Sequence, residues 1–183
     1  MAHPVSPLRV VVMDPLCKYL ACDCAGDYAQ REYDALEKYL QSQLRRPVDF
    51  VYSEALAAPH VGPSKEVDLI IGKYSVVAFD AAGANVKIRT LAMLTGDDGK
   101  VTQTGLFVVR TADPARSIAD LADDQIIFGP KESSEKRAAA FAAVEAFELK
   151  IPDDVPTSSS CSTAALAVFE NEADAAVISS YAM

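Results

Sequence analysis

The residue types in this chain best suited to chemistry are hydroxyls, phenols and thiols; there are only two histidines. Ser133-Ser134-Glu135 stands directly before an alanine-rich stretch that reads as a helix. A helix start leaves unpaired N–H groups and a partial positive charge. Serine hydroxyls beside those groups add donors, so a small oxyanion fits there. The same serines also suit plain helix capping, which is worth about 0.5–2 kcal/mol. Lys131 either adds a cation or is a solvated surface lysine.

Tyr74 and Tyr181 each follow a predicted strand end. Open α/β sheets bind ligands outside the carboxyl ends of their strands. Both phenols are therefore candidates to donate O–H groups, the alternative being that each packs against a loop. Ser75, Ser179 and Ser180 flank them as further candidates. Thr104 lies near the expected crossing between two lobes.

Three of the four cysteines are crowded as Cys17, Cys22 and Cys24, just after the first predicted strand, and Cys161 is remote. Three thiolates this close suit a soft metal: Cu(I), Zn(II) or an iron–sulfur unit. The spacing is not that of a zinc ribbon, and His3 and His60 lie elsewhere. Disulfide pairing in an oxidising compartment and buried inert or redox-active thiols are the other readings. A nucleophilic cysteine needs a base or a helix start to lower its pKa. Cys24 precedes a predicted helix, yet no histidine pairs with it. No P-loop, no Gly-x-Gly-x-x-Gly and no His-Glu-x-x-His occurs. The residues do not read as those of an enzyme, and no cofactor is expected beyond a metal at the cysteines.

The elements that must position these groups follow from hydrophobic period. Leu8–Met13 is a β-branched run and reads as a buried strand. Tyr28–Leu44 reads as a helix, with Tyr33, Leu36, Leu40 and Leu44 on one stripe, and Pro47 ends it. Further strands are expected at Val48–Tyr52, Val67–Gly72, Val86–Leu94, Thr104–Arg110, Gln125–Gly129 and Asp174–Ser179, with a brief one at Val155–Ser158. Helices are expected at Ser75–Ala84, Ile118–Ala122, Glu135–Leu149 and Ser162–Asn171. Alternating strands and helices predict an α/β fold with parallel sheets flanked by helices. A polar dip over Thr95–Thr104 suggests two lobes, 1–95 and 96–183.

The 183 residues are half apolar and carry a formal net charge of −9. That charge repels nucleic acid and anionic lipid. A small anion would have to be held by a local set of N–H groups, hydroxyls or cations. No apolar run reaches the roughly 18 residues a membrane span needs. The opening Met1-Ala-His-Pro-Val-Ser-Pro does not read as a signal peptide.

Four stretches together are similar to the phosphonate/phosphite-type solute-binding proteins of ABC importers, within the type 2 periplasmic binding protein fold. Val67–Ala78 resembles the family's Asp-strand-Gly-x-x-Tyr segment. Gly105–Arg110 with Ser117–Leu121 resembles its strand followed by a short helix containing Asp-Leu. Ile127–Ser134 resembles its strand ending in a serine-rich helix start. Asp174–Tyr181 resembles its Asp-Ala-Ala-strand-x-x-Tyr. Their order matches over about Leu8 to Met183.

The resemblance implies two lobes gripping a small oxyanion such as phosphonate, phosphite or phosphate in the cleft between them. It implies an ABC permease as partner and a periplasmic or otherwise extracytoplasmic location. It places the oxyanion at Ser133 and Ser134 and makes Tyr74 and Tyr181 contacts. Ser180 stands where many relatives carry a carboxylate. The cysteine cluster is outside the family pattern, which leaves a ligand- or metal-sensing module of the same fold as the alternative. Relatives continue past the second lobe and return to complete the first. The chain is therefore expected to be most of such a protein rather than all of it.

Overall fold

The computed structural model describes residues 6–21, 30–58, 61, 67–95 and 99–182. Two compact units divide the chain, Met1–Arg89 and Thr90–Met183.

In the first unit the run Leu8–Met13 forms β1, flanked by β2 (Val48–Tyr52) and β3 (Leu69–Gly72). All pairings are parallel, in the order β2-β1-β3, with Val10 opposite both Phe50 and Leu69. Val10, Val11 and Val12 are 0% exposed. A central parallel strand covered on both faces needs a continuous apolar run, not alternation. Side chains still alternate between faces. Val11 and Met13 pack with Leu56, Val61 and α2 (Tyr74–Gly83) through Val77 and Ala81. Val10 and Val12 pack on the other face with Cys17, Tyr33 and Val48, next to Leu36 and Leu40 of α1 (Asp34–Leu44).

Two expectations for the chain up to Leu94 are corrected. The first helix begins at Asp34, not Tyr28. Arg31 N–H donates to Leu16 O (2.7 Å) and Lys18 N–H to Arg31 O (3.0 Å), so this backbone is tied to the loop after β1. Tyr33 is buried with its hydroxyl on Asp14, which fixes the chain just ahead of the helix. The second correction is Val86–Leu94, which forms no strand. Its apolar residues Val86, Ile88, Leu91, Met93 and Leu94 are exposed, because no described strand lies beside the segment to pair with it. Period alone cannot supply a partner.

The second unit has β4 (Gly105–Val109), β5 (Ile126–Ile127) and β6 (Ala175–Ser179) in the order β4-β6-β5. β6 is central and fully buried. It pairs parallel with β5 but antiparallel with β4. This sheet is therefore mixed, with one parallel and one antiparallel pairing, beside the wholly parallel sheet of the first unit.

α3 (Ala138–Ala146) and α4 (Cys161–Phe169) complete the unit, with a short 3-10 helix at Ile118–Leu121. α3 packs Ala140 and Val144 against Leu121, Ile126, Phe128, Ala175 and Val177. α4 covers the other face through Cys161, Ala164 and Val168, beside Ala176 and Ile178. The 3-10 helix carries a capping box, with Ser117 and Asp120 bonded reciprocally. α3 starts three residues later than expected, after a turn over 134–137. Among the described residues no helix is long and apolar enough to cross a membrane.

Candidate functional site

The carboxyl ends of β5 and β6 and the start of β4 lie along one edge of the second sheet. This edge gathers most of the hydroxyl candidates. Ser179 closes β6. Its hydroxyl donates to Oε1 of Glu135, and both residues are buried. Ser179 N–H donates to Sγ of Cys161 at the start of α4 (3.4 Å). One residue on, Ser180 N–H donates to Thr104 O (2.9 Å), and Thr104 N–H donates to Ser180 Oγ (3.2 Å). Thr104 and Ser180 are therefore joined at the edge, and both are exposed.

The serine segment sits on this edge as a turn, not as the first turn of α3. Ser133 N–H donates to Pro130 O, and Ser133 O accepts from Arg137 N–H (both 2.9 Å). Ser134 O accepts from Ala139 N–H. The residue preceding α3 is Arg137, at φ −125 and ψ −77, with no side-chain cap. The expectation that Ser133 and Ser134 stand at the helix's own N-terminus is corrected accordingly. Ser133 is buried and Ser134 exposed. Two glycines let the turn approach the sheet. A Cβ at Gly105 would run into the Glu135 carbonyl, and one at Gly129 into Lys136. Lys136 is buried, with Nζ donating to Ser159 O (2.8 Å), whereas Lys131 is exposed.

A second serine-rich helix start lies beside this edge and was not singled out from sequence. Ser160 caps α4, its Oγ accepting from Thr163 N–H (3.3 Å), and Ser158 Oγ donates to Ser160 O (2.9 Å). The run Ser158-Ser-Ser-Cys-Ser-Thr163 was its visible signal. Tyr181 follows Ser180 in a single 3-10 turn, and its side chain lies outside the described residues.

The first unit has its own carboxyl-end edge. Gly72 closes β3, and a Cβ there would press on Val77 and Met13. Lys73 follows in extended conformation and leads into α2 without a side-chain cap. Tyr74, the first residue of α2, is 64% exposed. Ser75 Oγ is buried and has no hydrogen-bond partner among the described residues.

At the end of β1, Asp14 is buried and well satisfied. It accepts from Tyr33 OH (2.7 Å), Arg31 Nη1 (3.1 Å) and Leu16 N–H (3.1 Å). Burial first, then the Asp14 carboxylate, push the Tyr33 phenol far above its ordinary range. Tyr52, whose ring lies tilted against that of Tyr19 with centroids 4.4 Å apart, is pushed up to about 12, mainly by burial. Asp14 was not singled out from sequence: a lone aspartate after a strand carries no signal until its partners are known.

Cys17 is fully buried among Val10, Val12, Tyr33 and Val48. It is unpaired with another cysteine, and burial raises its thiol pKa. Cys22 and Cys24 lie outside the described residues. Among the described residues no three His, Cys, Asp or Glu side chains are grouped to hold a metal. The metal-linked sensor alternative finds no support in this arrangement.

Residues 25–183 match the family described as ABC transporter, phosphonate, periplasmic substrate-binding protein. Among solved structures, the chain is similar to a binding protein component of an ABC phosphonate transporter from Pseudomonas aeruginosa. That match has 14% identity and a TM-score of 0.64, covering 96% of this chain and 58% of that one. The chain is also similar to the periplasmic aliphatic sulphonate binding protein from Escherichia coli. Identity there is 18% and the TM-score 0.58, over 97% of this chain and 55% of that one. The chain thus spans little more than half the length of these two structures. At such identities the likeness carries the fold, which is that of type 2 periplasmic binding proteins. No curated protein sequence matches the chain.

Proposed function

We propose, from the premise that this chain belongs to the ABC transporter phosphonate periplasmic substrate-binding protein family, that it binds a small oxyanion for import. The solute is of the phosphonate, phosphite or phosphate kind, and the partner is an ABC permease. The location is periplasmic, as the family's is. That family is one of substrate-binding transport proteins and not of enzymes.

The observation that carries the reading is the hydroxyl-lined edge of the second unit. Thr104 and Ser180 are hydrogen-bonded to each other there, and the turn that carries Ser133 and Ser134 meets the same edge where the Glu135 carbonyl lies against Gly105. A chain of net charge −9 attracts no anion at long range. Short-range hydroxyl donors are the means proposed here, and they suit an oxyanion. Tyr74 and Ser75, at the start of α2, are proposed as ligand contacts at the first unit's own carboxyl-end edge. Tyr181 is proposed as a further contact.

Calorimetric titration with methylphosphonate, phosphite, phosphate, sulfate and taurine tests the reading. Saturable binding of at least one, weakened by Ser133→Ala, is expected. Absence of binding to all five would sink it.

A further inference from the structure

We infer that the second unit carries a separate groove, beside β5 and toward its amino end, that takes a small organic cation: an apolar body about the size of one ring, bearing an ammonium group. One wall is the stretch from Leu121 to Ile126, where β5 begins, and the other is Leu149 to Pro156. The hydroxyl-lined edge lies at the other end of this sheet, where Ser179 closes β6. The groove is therefore distinct from the oxyanion site proposed above.

The first argument is room and lining. The groove has a volume of about 340 Å³. Small-molecule sites start at about 300 Å³, and a cavity of about 150 Å³ already holds a benzene ring. Ile126, Phe128 and Val144 line it and are buried. Leu149 and Ile151 are half-buried and pack against the same core. Water in such a space finds few polar partners, and an apolar group that displaces it gains.

The second argument is charge. Asp123, Asp124 and Asp154 share the lining with Lys150, an excess of carboxylates. Among the described residues no ion pair neutralises these three. Burial first, then the carboxylates of Asp174, Asp113 and Asp123, hold the Asp124 carboxyl above its ordinary value against a weaker pull from Arg110. Arg110 is spent elsewhere, on Asp174 at 3.5 Å and on the carbonyls of Val168 and Ala173. A cation brought among these carboxylates relieves their mutual repulsion, and an anion adds to it. An apolar groove alone does not choose a sign of charge, and exposed carboxylates alone hold a bare cation weakly. Together they select an amine with an apolar body.

The test uses phenethylamine as probe, phenylpropionate as an anion of like shape, and ethylamine as the charge without the ring. Each is titrated into the chain by calorimetry and followed in nitrogen-15 amide spectra. Phenethylamine is expected to bind saturably with Kd of about 1 mM or tighter. It should move the amides of Ala122–Ile126 and Leu149–Val155 and leave Ser179–Ser180 in place. Phenylpropionate and ethylamine should bind at least about tenfold more weakly. The double variant Asp123→Asn with Asp124→Asn should loosen phenethylamine about three- to tenfold, the worth of two partly exposed charges. Its affinity for methylphosphonate should match that of wild type. No amide shifts along the groove, equal binding of phenylpropionate, or a folded variant that holds the amine as tightly as wild type would each overturn the inference. Should the variant not fold, the wild-type comparison of amine with carboxylate decides. Methylphosphonate binding is read separately, so either site can fail without the other.

Discussion

Tyr33→Phe removes one oxygen and isolates one bond. The Tyr33 hydroxyl donates to Asp14 at 2.7 Å, and both residues are buried. Asp14 keeps two other donors, Leu16 N–H and Arg31. The Arg31 side chain is about half exposed, so its ion pair contributes little once solvent screening is allowed for. A hydrogen bond to a charged group is worth about 1.5–3 kcal/mol, and with Asp14 still partly satisfied the loss should be about 1.5–2 kcal/mol. For a chain of this size that lowers the midpoint by roughly 3–8 °C. Thermal and urea unfolding of wild type, Tyr33→Phe, Asp14→Asn and the double variant measures it. The two single losses should not add, because both perturb the same contact. Additive losses, or a Tyr33→Phe loss below about 0.5 kcal/mol, would refute the reasoning. A pH effect follows from the same contact. The folded Tyr33 pKa is raised above the unfolded value, so the unfolded chain loses its proton first. The contribution is fully present below about pH 10 and declines as pH climbs toward the folded pKa. Stability of wild type should fall more steeply above that pH than stability of Tyr33→Phe.

Other outcomes follow from the same contacts. Val177→Ala, at the fully buried centre of β6, should cost about 2–3 kcal/mol from two lost carbon groups plus the cavity, read by urea unfolding. Gly105→Ala forces a Cβ against the Glu135 carbonyl and should cost about 1–3 kcal/mol while weakening oxyanion binding, because the serine turn is displaced. Ser75→Ala removes a buried hydroxyl that has no partner among the described residues, so the ligand-free protein should be unchanged or slightly more stable. Oxyanion affinity should nonetheless fall about tenfold, one bond's worth. Iodoacetamide labelling followed by peptide mass mapping should find Cys17 and Cys161 slow to react in the folded chain and fast in urea, since both are buried.

Much of the fold was legible because its signals are local. β1 and β2 fall where the β-branched runs Leu8–Met13 and Val48–Tyr52 placed them, since a buried parallel strand is written as an unbroken apolar run. Misreadings arose where distant partners override period. Tyr33 sits on a helical stripe by spacing, yet Asp14 holds it outside the helix. Val86–Leu94 alternates like a strand but has no described neighbour. The site divides in the same way. Thr104 and Ser180 were legible one by one, but their mutual hydrogen bonds depend on an antiparallel pairing that sequence spacing does not reveal. Glu135 is indistinguishable in sequence from a solvated first-turn glutamate until Ser179 is found beneath it.

The central claim is that the hydroxyl-lined edge of the second unit holds the oxyanion. Backbone amide shifts in a nitrogen-15 spectrum, recorded as methylphosphonate is added, test it residue by residue. The account predicts saturable shifts concentrated at Thr104–Gly105, Ser133–Arg137 and Ser179–Ser180. Shifts confined to the opposite end of the sheet, around Gln125 and Ile151, or no shifts at all, would contradict it.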